Sequence, residues 1–450
     1  MDCGLYYSIM RAITLADLKN KHFLALAGNA IIALFGVLTI ALLTRSLSKA
    51  DVGAWFFFLG IYALGDAIRS GFLGTATIKF YAGTDAQRAA NVLGSVWYLA
   101  TMITALLTII DLGFLFFIKD IKNEALAVSV QWFGATFVSS LPFNLIFWIL
   151  VADERYDRVL WLRLVNSASM VIYIIVLMIT HQMTLQALLW CNFLTNCLTS
   201  IVGLVWGLAR VRTFFKRSAE TTMEIVHYGK YSLGSTVVSK LLGNTDTFII
   251  TSMLGTTALA IYSIPVKLME IIEFPLRSFV GTGMSAMAVA FNQKNDKETN
   301  FILHKYSGIL TLTFIPLTLG AFVFADLAIR ILGGPQYVGT EAANIYRLLM
   351  LIALLHPADR FIGVTLDIIH KPKINFYKVI IMLIVVVVGD FTGILVFHNV
   401  YGIVVASLLT VMAGLYYGYY QLNKFMSFSM REMMVVGIKE SRLWIKSRLG

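Results

Sequence analysis

Residues 23–43, FLALAGNAIIALFGVLTIALL, contain no charged residue and are long enough to cross the hydrocarbon core of a bilayer, roughly 30 Å, as one helix. Similar apolar runs recur to the end of the chain. Lipid offers the backbone no hydrogen-bond partners, so such runs must form helices or strands of a closed barrel. Barrel strands are short and alternate apolar with polar residues, whereas these runs are long and mostly unbroken. The sequence therefore predicts an all-α integral membrane protein whose first run is an uncleaved span.

The composition of the whole chain supports this prediction. Of the 450 residues, 58% are hydrophobic and only 14% are charged, and the mean hydropathy is +0.78. A soluble protein of this size carries roughly a quarter charged residues. The net charge of +11 is explained by basic loops at a membrane surface, so we expect no nucleic-acid partner.

We predict about twelve transmembrane spans and number them in chain order. They cover residues 22–43, 54–78, 92–118, 125–150, 160–180, 185–208, 231–254, 258–290, 302–325, 341–368, 375–397 and 400–423. The termini and the even-numbered loops hold most of the Lys and Arg residues outside the spans. The opposite side holds only Arg45, Lys49, Lys119, Lys122 and Arg330. Because Lys and Arg concentrate in cytoplasmic loops, both termini are predicted to be cytoplasmic.

An internal repeat predicts two related halves. Residues 72–75, FLGT, recur as residues 279–282, FVGT, and at the same offset of about 207 residues Asp66 falls on Glu273. We therefore expect two pseudo-symmetric six-helix bundles, 22–215 and 231–424, joined by a cytoplasmic linker, 216–230. A cytoplasmic segment, 1–21, precedes them, and a basic amphipathic cytoplasmic tail, 425–450, follows and is expected to lie on the anionic inner leaflet. Paired bundles of this kind often enclose a substrate site.

Charged residues inside the predicted spans point to a polar interior. The bases are Arg69, Arg163, Lys240, Lys267, Arg277, Arg347 and Arg360, and the acids are Asp66, Asp111, Asp246, Glu270, Glu273, Asp359 and Asp390. One charge at mid-depth costs roughly 3 kcal/mol on insertion scales. Some of these groups are expected to be internal ion pairs or to lie at span ends, and Asp111 and Asp390 are interpreted as interfacial. The whole set favours a hydrated transport cavity.

Span eight carries the densest group of these charges. On one straight helix, Lys267, Glu270, Glu273 and Arg277 share about a third of the circumference. Pro265 and Pro275 interrupt the same run and are expected to bend it. Asp66 and Arg69 form a smaller pair in span two, and span ten is predicted to break near His356 and Pro357.

The sequence shows no pattern typical of an enzyme. It contains no Gly-rich phosphate loop, metal-binding Cys/His cluster or nucleophile elbow. We therefore expect neither catalysis, nor a cofactor, nor a metal site, and His227 and His356 are interpreted as ordinary polar residues.

Two stretches resemble a known family. Residues 42–57, LLTRSLSKADVGAWFF, resemble the first inter-span motif of the polysaccharide (O-antigen, lipid-linked oligosaccharide) flippases, in which Arg, Leu and Gly recur at the spacing of Arg45, Leu47 and Gly53. Residues 244–268, NTDTFIITSMLGTTALAIYSIPVKL, resemble the span-seven motif of that family, with Ala260 in place of the more usual Gly. The family belongs to the multidrug/oligosaccharidyl-lipid/polysaccharide exporter superfamily.

This resemblance implies two six-helix bundles in a V shape and alternating access. It also implies a cargo of undecaprenyl-diphosphate-linked oligosaccharide, flipped from the inner to the outer leaflet of a bacterial or archaeal cell membrane during surface polysaccharide or lipopolysaccharide synthesis. In a Gram-negative cell this is the inner membrane. H+ or Na+ as coupling ions and polysaccharide polymerase or assembly proteins as partners are expectations of the same kind.

Roles for the charged residues follow from the chemistry of that cargo. A diphosphate needs compensating cations as it crosses a region of low dielectric constant, and Arg suits phosphate oxygens. The predicted substrate-binding residues are Arg69, Lys240, Lys267, Arg277 and Arg360. The predicted ion-coupling or charge-balancing residues are Asp66, Glu270, Glu273, Asp246 and Asp359.

Three alternatives remain open at the level of the sequence. A multidrug antiporter of the same superfamily should favour acids over bases in its cavity. A lipid II flippase often has fourteen spans rather than twelve. In a non-transporting scaffold of a glycan assembly complex, the charges inside the spans would serve assembly only.

Overall fold

The structure, a computed structural model, describes the chain from residue 21 to residue 449, with side chains from 28 to 443 apart from those of 231, 274, 275 and 278. Within this range the chain forms α-helices and short 3-10 turns and no β-strand. The predicted N-terminal segment, 1–21, lies outside the described residues except for its last residue.

The helices are numbered in chain order. The first eight are α1 Lys21–Ser46, α2 Lys49–Tyr81, α3 Ala86–Leu115, α4 Glu124–Ser139, α5 Leu141–Ala152, α6 Tyr156–Ile179, α7 Leu185–Val205 and α8 Ala219–Met253. The others are α9 Thr256–Ile272, α10 Phe274–Asn292, α11 Asp296–Val323, α12 Ala325–Gly333, α13 Ala342–Ala353, α14 His356–Ile368, α15 Pro372–Phe397, α16 Tyr401–Leu422 and α17 Met430–Leu449.

These helices account for the predicted spans. Eight helices in the described part of the chain are long and apolar enough to cross a membrane, and ten spans result if α4 with α5 and α13 with α14 each form one bent span. The two remaining predicted spans correspond to α8 and to α9 with α10, which carry several of the intramembrane charges. The twelve-span helical membrane fold is confirmed, and the orientation of the termini stays a prediction.

Three of the predicted spans are interrupted, and proline explains where each one restarts. Pro142 occupies the first turn of α5, Pro275 the first turn of α10 and Pro357 the first turn of α14. Proline has no N–H and cannot continue the preceding helix, but it is compatible with the first turn of a new one. The bend is 46° between α4 and α5 and 43° between α13 and α14. The predicted breaks at Pro275 in span eight and near His356 in span ten are confirmed, whereas α9 continues through Pro265 and the break in span four was not predicted.

Contacts between residues divide the chain into two compact units, which we describe separately. Unit 1 contains the described residues up to 47 together with 61–237, and unit 2 contains 48–60 and the described residues from 238 onward. The helices α2 and α8 therefore contribute to both units. Residues 219–230, predicted to be part of a linker, are the first turns of α8. The predicted bundle boundaries stay predictions.

In unit 1 the connection after α7 is held tightly against α3. The indole Nε1 of Trp97 donates a hydrogen bond to the Ala209 carbonyl at 2.9 Å. Beside it, a Cβ placed on Gly94 would lie 2.4 Å from the Thr213 carbonyl oxygen. Only a residue without a side chain allows this approach of two backbones. The long connection predicted from the sequence is thus a packed part of unit 1.

In unit 2 the helices α15 and α16 pack closely against each other. A Cβ on Gly393 would lie 2.5 Å from the Gly402 carbonyl oxygen, and one on Gly389 would lie 2.9 Å from the Ala406 Cβ. Small residues are common at helix interfaces in membranes because association there depends on close van der Waals contact. This pair forms one wall of the region that holds the buried acids described below.

Candidate functional site: charged residues inside the two units

Arg69 of α2 is completely buried in unit 1 and donates to four groups. Its Nη2 lies 2.9 Å from Asp66 Oδ1 and 2.9 Å from Ser140 Oγ. Its Nη1 lies 2.9 Å from the Phe137 carbonyl and 3.3 Å from Thr104 Oγ1. The guanidinium carbon also lies 4.0 Å from the centre of the Phe137 ring. Arg69, predicted to bind substrate, is thus enclosed by protein groups.

The partners of Arg69 lie where α4 ends and α5 begins. Asp66, which is 25% exposed, also accepts a hydrogen bond from Asn144 Nδ2 of α5 at 3.2 Å. The last turn of a helix has carbonyl groups without intrahelical donors, and here Arg69 supplies one. The pair of Asp66 and Arg69 therefore holds the bend of span four.

Glu273 lies at the break between α9 and α10 and contacts the start of α14, where span ten restarts. It is 6% exposed and forms an ion pair with Nδ1 of His356, the first residue of α14. Arg277 and Arg360 are exposed and lie within electrostatic range of the Glu273 carboxylate. The break thus turns Glu273 inward while Arg277 stays exposed, so the four charges of span eight do not form one uniform face.

Asp66 and Glu273, which the repeat places at equivalent positions, make equivalent contacts. Asp66 reaches α5 through Asn144, and Glu273 reaches α14 through His356. In each unit, an acid on the second span of the half contacts the restarted helix of its fourth span. His356, interpreted from the sequence as an ordinary polar residue, has a polar partner 83 positions away, which no neighbour in sequence indicates.

Lys240 and the pair of Lys267 and Glu270 are more accessible. The ammonium of Lys267 lies 2.9 Å from both carboxylate oxygens of Glu270, and the two side chains are 35% and 43% exposed. Lys240 on α8 is exposed. Among the predicted substrate-binding residues, Lys240, Arg277 and Arg360 are exposed, Lys267 is partly exposed and Arg69 is buried.

Two carboxyl groups face each other between α8 and α15. Asp246 of α8 accepts a hydrogen bond from the Tyr262 hydroxyl of α9, and Asp390 of α15 lies within reach of Asp246. Asp390 has no exposed surface, and neither of its oxygens has a hydrogen-bond donor in the described part of the chain. Asp390 is thus enclosed by protein, and its interfacial interpretation, which concerns depth in the membrane, stays a prediction. No neighbour in sequence indicates this pairing, which depends on the packing of α8 against α15.

Asp359 forms a buried ion pair with Lys378. The ammonium of Lys378 lies 2.5 Å from Asp359 Oδ1 and 3.0 Å from the Asp359 backbone carbonyl, and the two residues are 3% and 9% exposed. Lys378 lies within the predicted span 375–397 but was not counted among the charges of the spans, so the sequence analysis missed this pair. It lies within α15, which begins at Pro372 and is one turn longer than the predicted span.

Asp111 is the remaining isolated acid of the predicted spans. It is 8% exposed and accepts the Gly134 backbone N–H at 2.9 Å. Protein encloses this residue as well, and its interfacial interpretation stays a prediction. In the described part of the chain, no group of three His, Cys, Asp or Glu side chains is arranged to hold a metal ion.

Comparison with known proteins agrees with this fold. An inward-facing multidrug resistance MATE transporter of the MOP superfamily has a TM-score of 0.72 at 15% identity, covering 89% of this chain and 98% of that one. The lipid II flippase MurJ, in an inward closed conformation, has a TM-score of 0.69 at 13% identity, covering 95% and 92%. A MOP superfamily transporter from Pyrococcus furiosus, described as having a binding pocket of reversed polarity, has a TM-score of 0.61 at 15% identity, covering 94% and 99%.

The sequence comparisons identify a family but no individual relative. No curated protein matches the chain. The model of the family described as "Polysaccharide biosynthesis protein" matches residues 42–342, which is more than half of the chain and includes both motifs quoted above. The chain is a multi-pass membrane protein with the fold of MOP superfamily transporters, and it belongs to the polysaccharide biosynthesis protein family.

Proposed function

We propose that the chain is a flippase that moves an undecaprenyl-diphosphate-linked oligosaccharide from the inner to the outer leaflet by alternating access. The observation that carries this proposal is the separation of charge by burial in unit 2. Lys240, Arg277 and Arg360 are exposed, whereas the intramembrane acids Glu273, Asp359 and Asp390 are buried. An exposed base inside a span is tolerated where it faces water or an anion. A diphosphate is such an anion, and moving it across the membrane requires no covalent bond to be made or broken.

The same separation of charge argues against a multidrug antiporter. A cationic drug would meet exposed bases, and the carboxylates that could neutralise it are buried or engaged with protein groups. The likeness to a MATE transporter concerns the fold, and the likeness to MurJ leaves lipid II as the closer alternative cargo.

The cargo is tested with purified protein in liposomes. We expect the protein to move a fluorescently labelled undecaprenyl-diphosphate oligosaccharide across the bilayer, measured by the fraction protected from dithionite, and to leave ethidium unmoved. Labelled lipid II in a parallel sample separates the two glycolipids. Movement of ethidium alone would assign the protein to the antiporters, and movement of no substrate would favour the scaffold.

We further propose that transport is coupled to H+ or Na+ at Asp246 and Asp390. Two adjacent carboxylates, the buried Asp390 and the partly buried Asp246, repel each other, so one of them binds a proton or a cation. The Tyr262 hydroxyl already occupies one oxygen of Asp246, which leaves the unpaired oxygens of Asp390 to take up the ion. The proposed ion site consists of carboxyl groups, whereas the proposed diphosphate site consists of exposed bases. Ion binding and diphosphate binding therefore use different groups.

The coupling is tested by the distribution of the glycolipid between the leaflets. A potential of 100 mV supplies about 2.3 kcal/mol per elementary charge, or roughly a 50-fold ratio for one coupled charge. We expect an imposed H+ or Na+ gradient to shift the distribution of the glycolipid between the leaflets in the wild type. In Asp390→Asn or Asp246→Asn, flipping should continue, but the glycolipid should be equally distributed between the two leaflets. Asp326→Asn, at an exposed position, is the control. If neither gradient changed the distribution of the glycolipid in the wild type, ion coupling would be refuted, but flippase activity would not.

A further inference from the structure

One face of the terminal helix α17 is fastened to α11. A Cβ on Gly308 of α11 would lie 2.1 Å from the Met433 carbonyl oxygen, and one on Gly437 would lie 2.6 Å from the Gly308 carbonyl carbon. Lys305 and Glu440 form an ion pair of 2.7 Å, and the ring of His304 accepts the Ser429 N–H at 3.2 Å. This helix is therefore a docked part of unit 2.

The contact with α11 places α17 at the edge of the bilayer. Lys305 is the last charged residue of α11 before an uninterrupted uncharged stretch that reaches the end of the helix. Gly308 lies about one turn beyond Lys305. The crossing point of the two helices therefore lies where headgroups meet acyl chains, and not in bulk water.

The opposite face of α17 has no partner in the described part of the chain. We call it the α17 surface and define it by Arg431, Val435, Ile438, Lys439, Arg442 and Leu443, all of which are exposed. At 100° per residue these positions lie away from Met433 and Gly437, which contact α11. Five of these residues, from Val435 to Leu443, line a shallow groove with a volume of about 340 Å³.

The chemistry of the α17 surface alternates apolar and basic groups. Val435, Ile438 and Leu443 are 58%, 40% and 52% exposed, and three bases lie among them. One acid, the exposed Glu432, shares this side of the helix with the three bases, and its carboxylate lies 3.8 Å from His304 Nε2. Basic side chains interleaved with aliphatic ones are typical of helices that lie in the plane of an anionic membrane surface.

We propose that the α17 surface is a binding site for anionic phospholipid headgroups. Lys439 and Arg442 contact the phosphate, Arg431 contributes further positive charge, and Val435 and Ile438 contact the upper acyl chain. Arg and Lys extend their charged ends to the phosphate while their methylene groups stay in apolar surroundings. This inference rests on α17 and α11 and does not depend on the proposed cargo.

The experiment measures lipid binding at α17 directly. In full-length protein with Cys3, Cys191 and Cys197 replaced by Ala, Ser441→Cys carries an environment-sensitive NBD group. The detergent-purified protein is titrated with short-chain phosphatidylglycerol or phosphatidylcholine. Each base near a membrane surface contributes a factor of about five, so we expect phosphatidylglycerol to shift the emission at a concentration on the order of 100-fold lower than phosphatidylcholine.

Two variants with equal loss of charge decide the outcome. Arg431→Gln/Lys439→Gln/Arg442→Gln should abolish the preference for phosphatidylglycerol. Lys294→Gln/Lys297→Gln/Lys373→Gln removes three exposed bases elsewhere and should retain it. Equal binding of both lipids by the wild type, or equal loss in the two variants, would overturn the proposal. Competition by inorganic phosphate at millimolar concentration would show a site for free anions and would overturn it too.

Discussion

Replacing the two exposed arginines near Glu273, as Arg277→Gln/Arg360→Gln, should reduce flipping of an undecaprenyl-diphosphate oligosaccharide in liposomes by about 100-fold or more. A hydrogen bond to a charged group contributes about 1.5–3 kcal/mol, and each 1.4 kcal/mol is tenfold in rate or affinity. Both side chains are exposed, and the buried Glu273 near them keeps its contact with His356 when they are replaced. The measurement is the initial rate of protection from dithionite at equal protein density.

Matched variants separate the loss of a charge from general damage. Arg277→Lys/Arg360→Lys keeps the charge but loses the planar fork of donors that fits phosphate oxygens, and should have an intermediate rate. Arg347→Gln removes a base that is paired with Asp326 at 2.6 Å, and should have the wild-type rate. A double Gln variant that flips at the wild-type rate would remove these arginines from the substrate site.

Breaking the buried ion pair of unit 2 should have the largest effect on stability. Lys378→Met leaves Asp359 as a buried, uncompensated charge, and Asp359→Asn does the same to Lys378. Removal of one partner of a buried pair costs about 3–5 kcal/mol, whereas replacement of both partners by neutral groups is often close to neutral. We therefore expect each single variant to lower the free energy of unfolding by this amount, and the double variant to recover most of the loss.

The measurement is reversible unfolding by SDS titration from mixed micelles, followed by circular dichroism. Arg155→Gln breaks a pair with Asp157 in which both side chains are about half exposed, and should leave the midpoint unchanged. If the double variant lost as much stability as the two single variants added together, Lys378 and Asp359 would act independently.

The positions of the spans and of most intramembrane charges were predictable from the sequence. Most helices cover their predicted spans and several extend beyond them, as α8 does by twelve residues at its start, because an apolar run of sufficient length has only one stable arrangement in lipid. Lys378 is the intramembrane charge that the sequence analysis missed and that forms a buried ion pair. It lies within the predicted span 375–397 but was not counted among the charges of the spans, and its partner Asp359 is on another helix.

The repeat was also informative at the level of individual residues. The offset that pairs Asp66 with Glu273 anticipated that both acids have the same structural role. The identity of their partners was not predictable, since Asn144 and His356 lie far from them in the chain and carry no local sign of the contact.

Hydrophobicity and the distribution of Lys and Arg were sufficient to predict the membrane class, the number of spans and a polar interior. Both properties are local, and each run of residues interacts with lipid or headgroups largely by itself. Tertiary structure alone decided which charges are buried in pairs and which are exposed. The ion pair of Asp359 with Lys378 and the facing carboxyl groups of Asp246 and Asp390 depend on helices that meet only after the chain has folded.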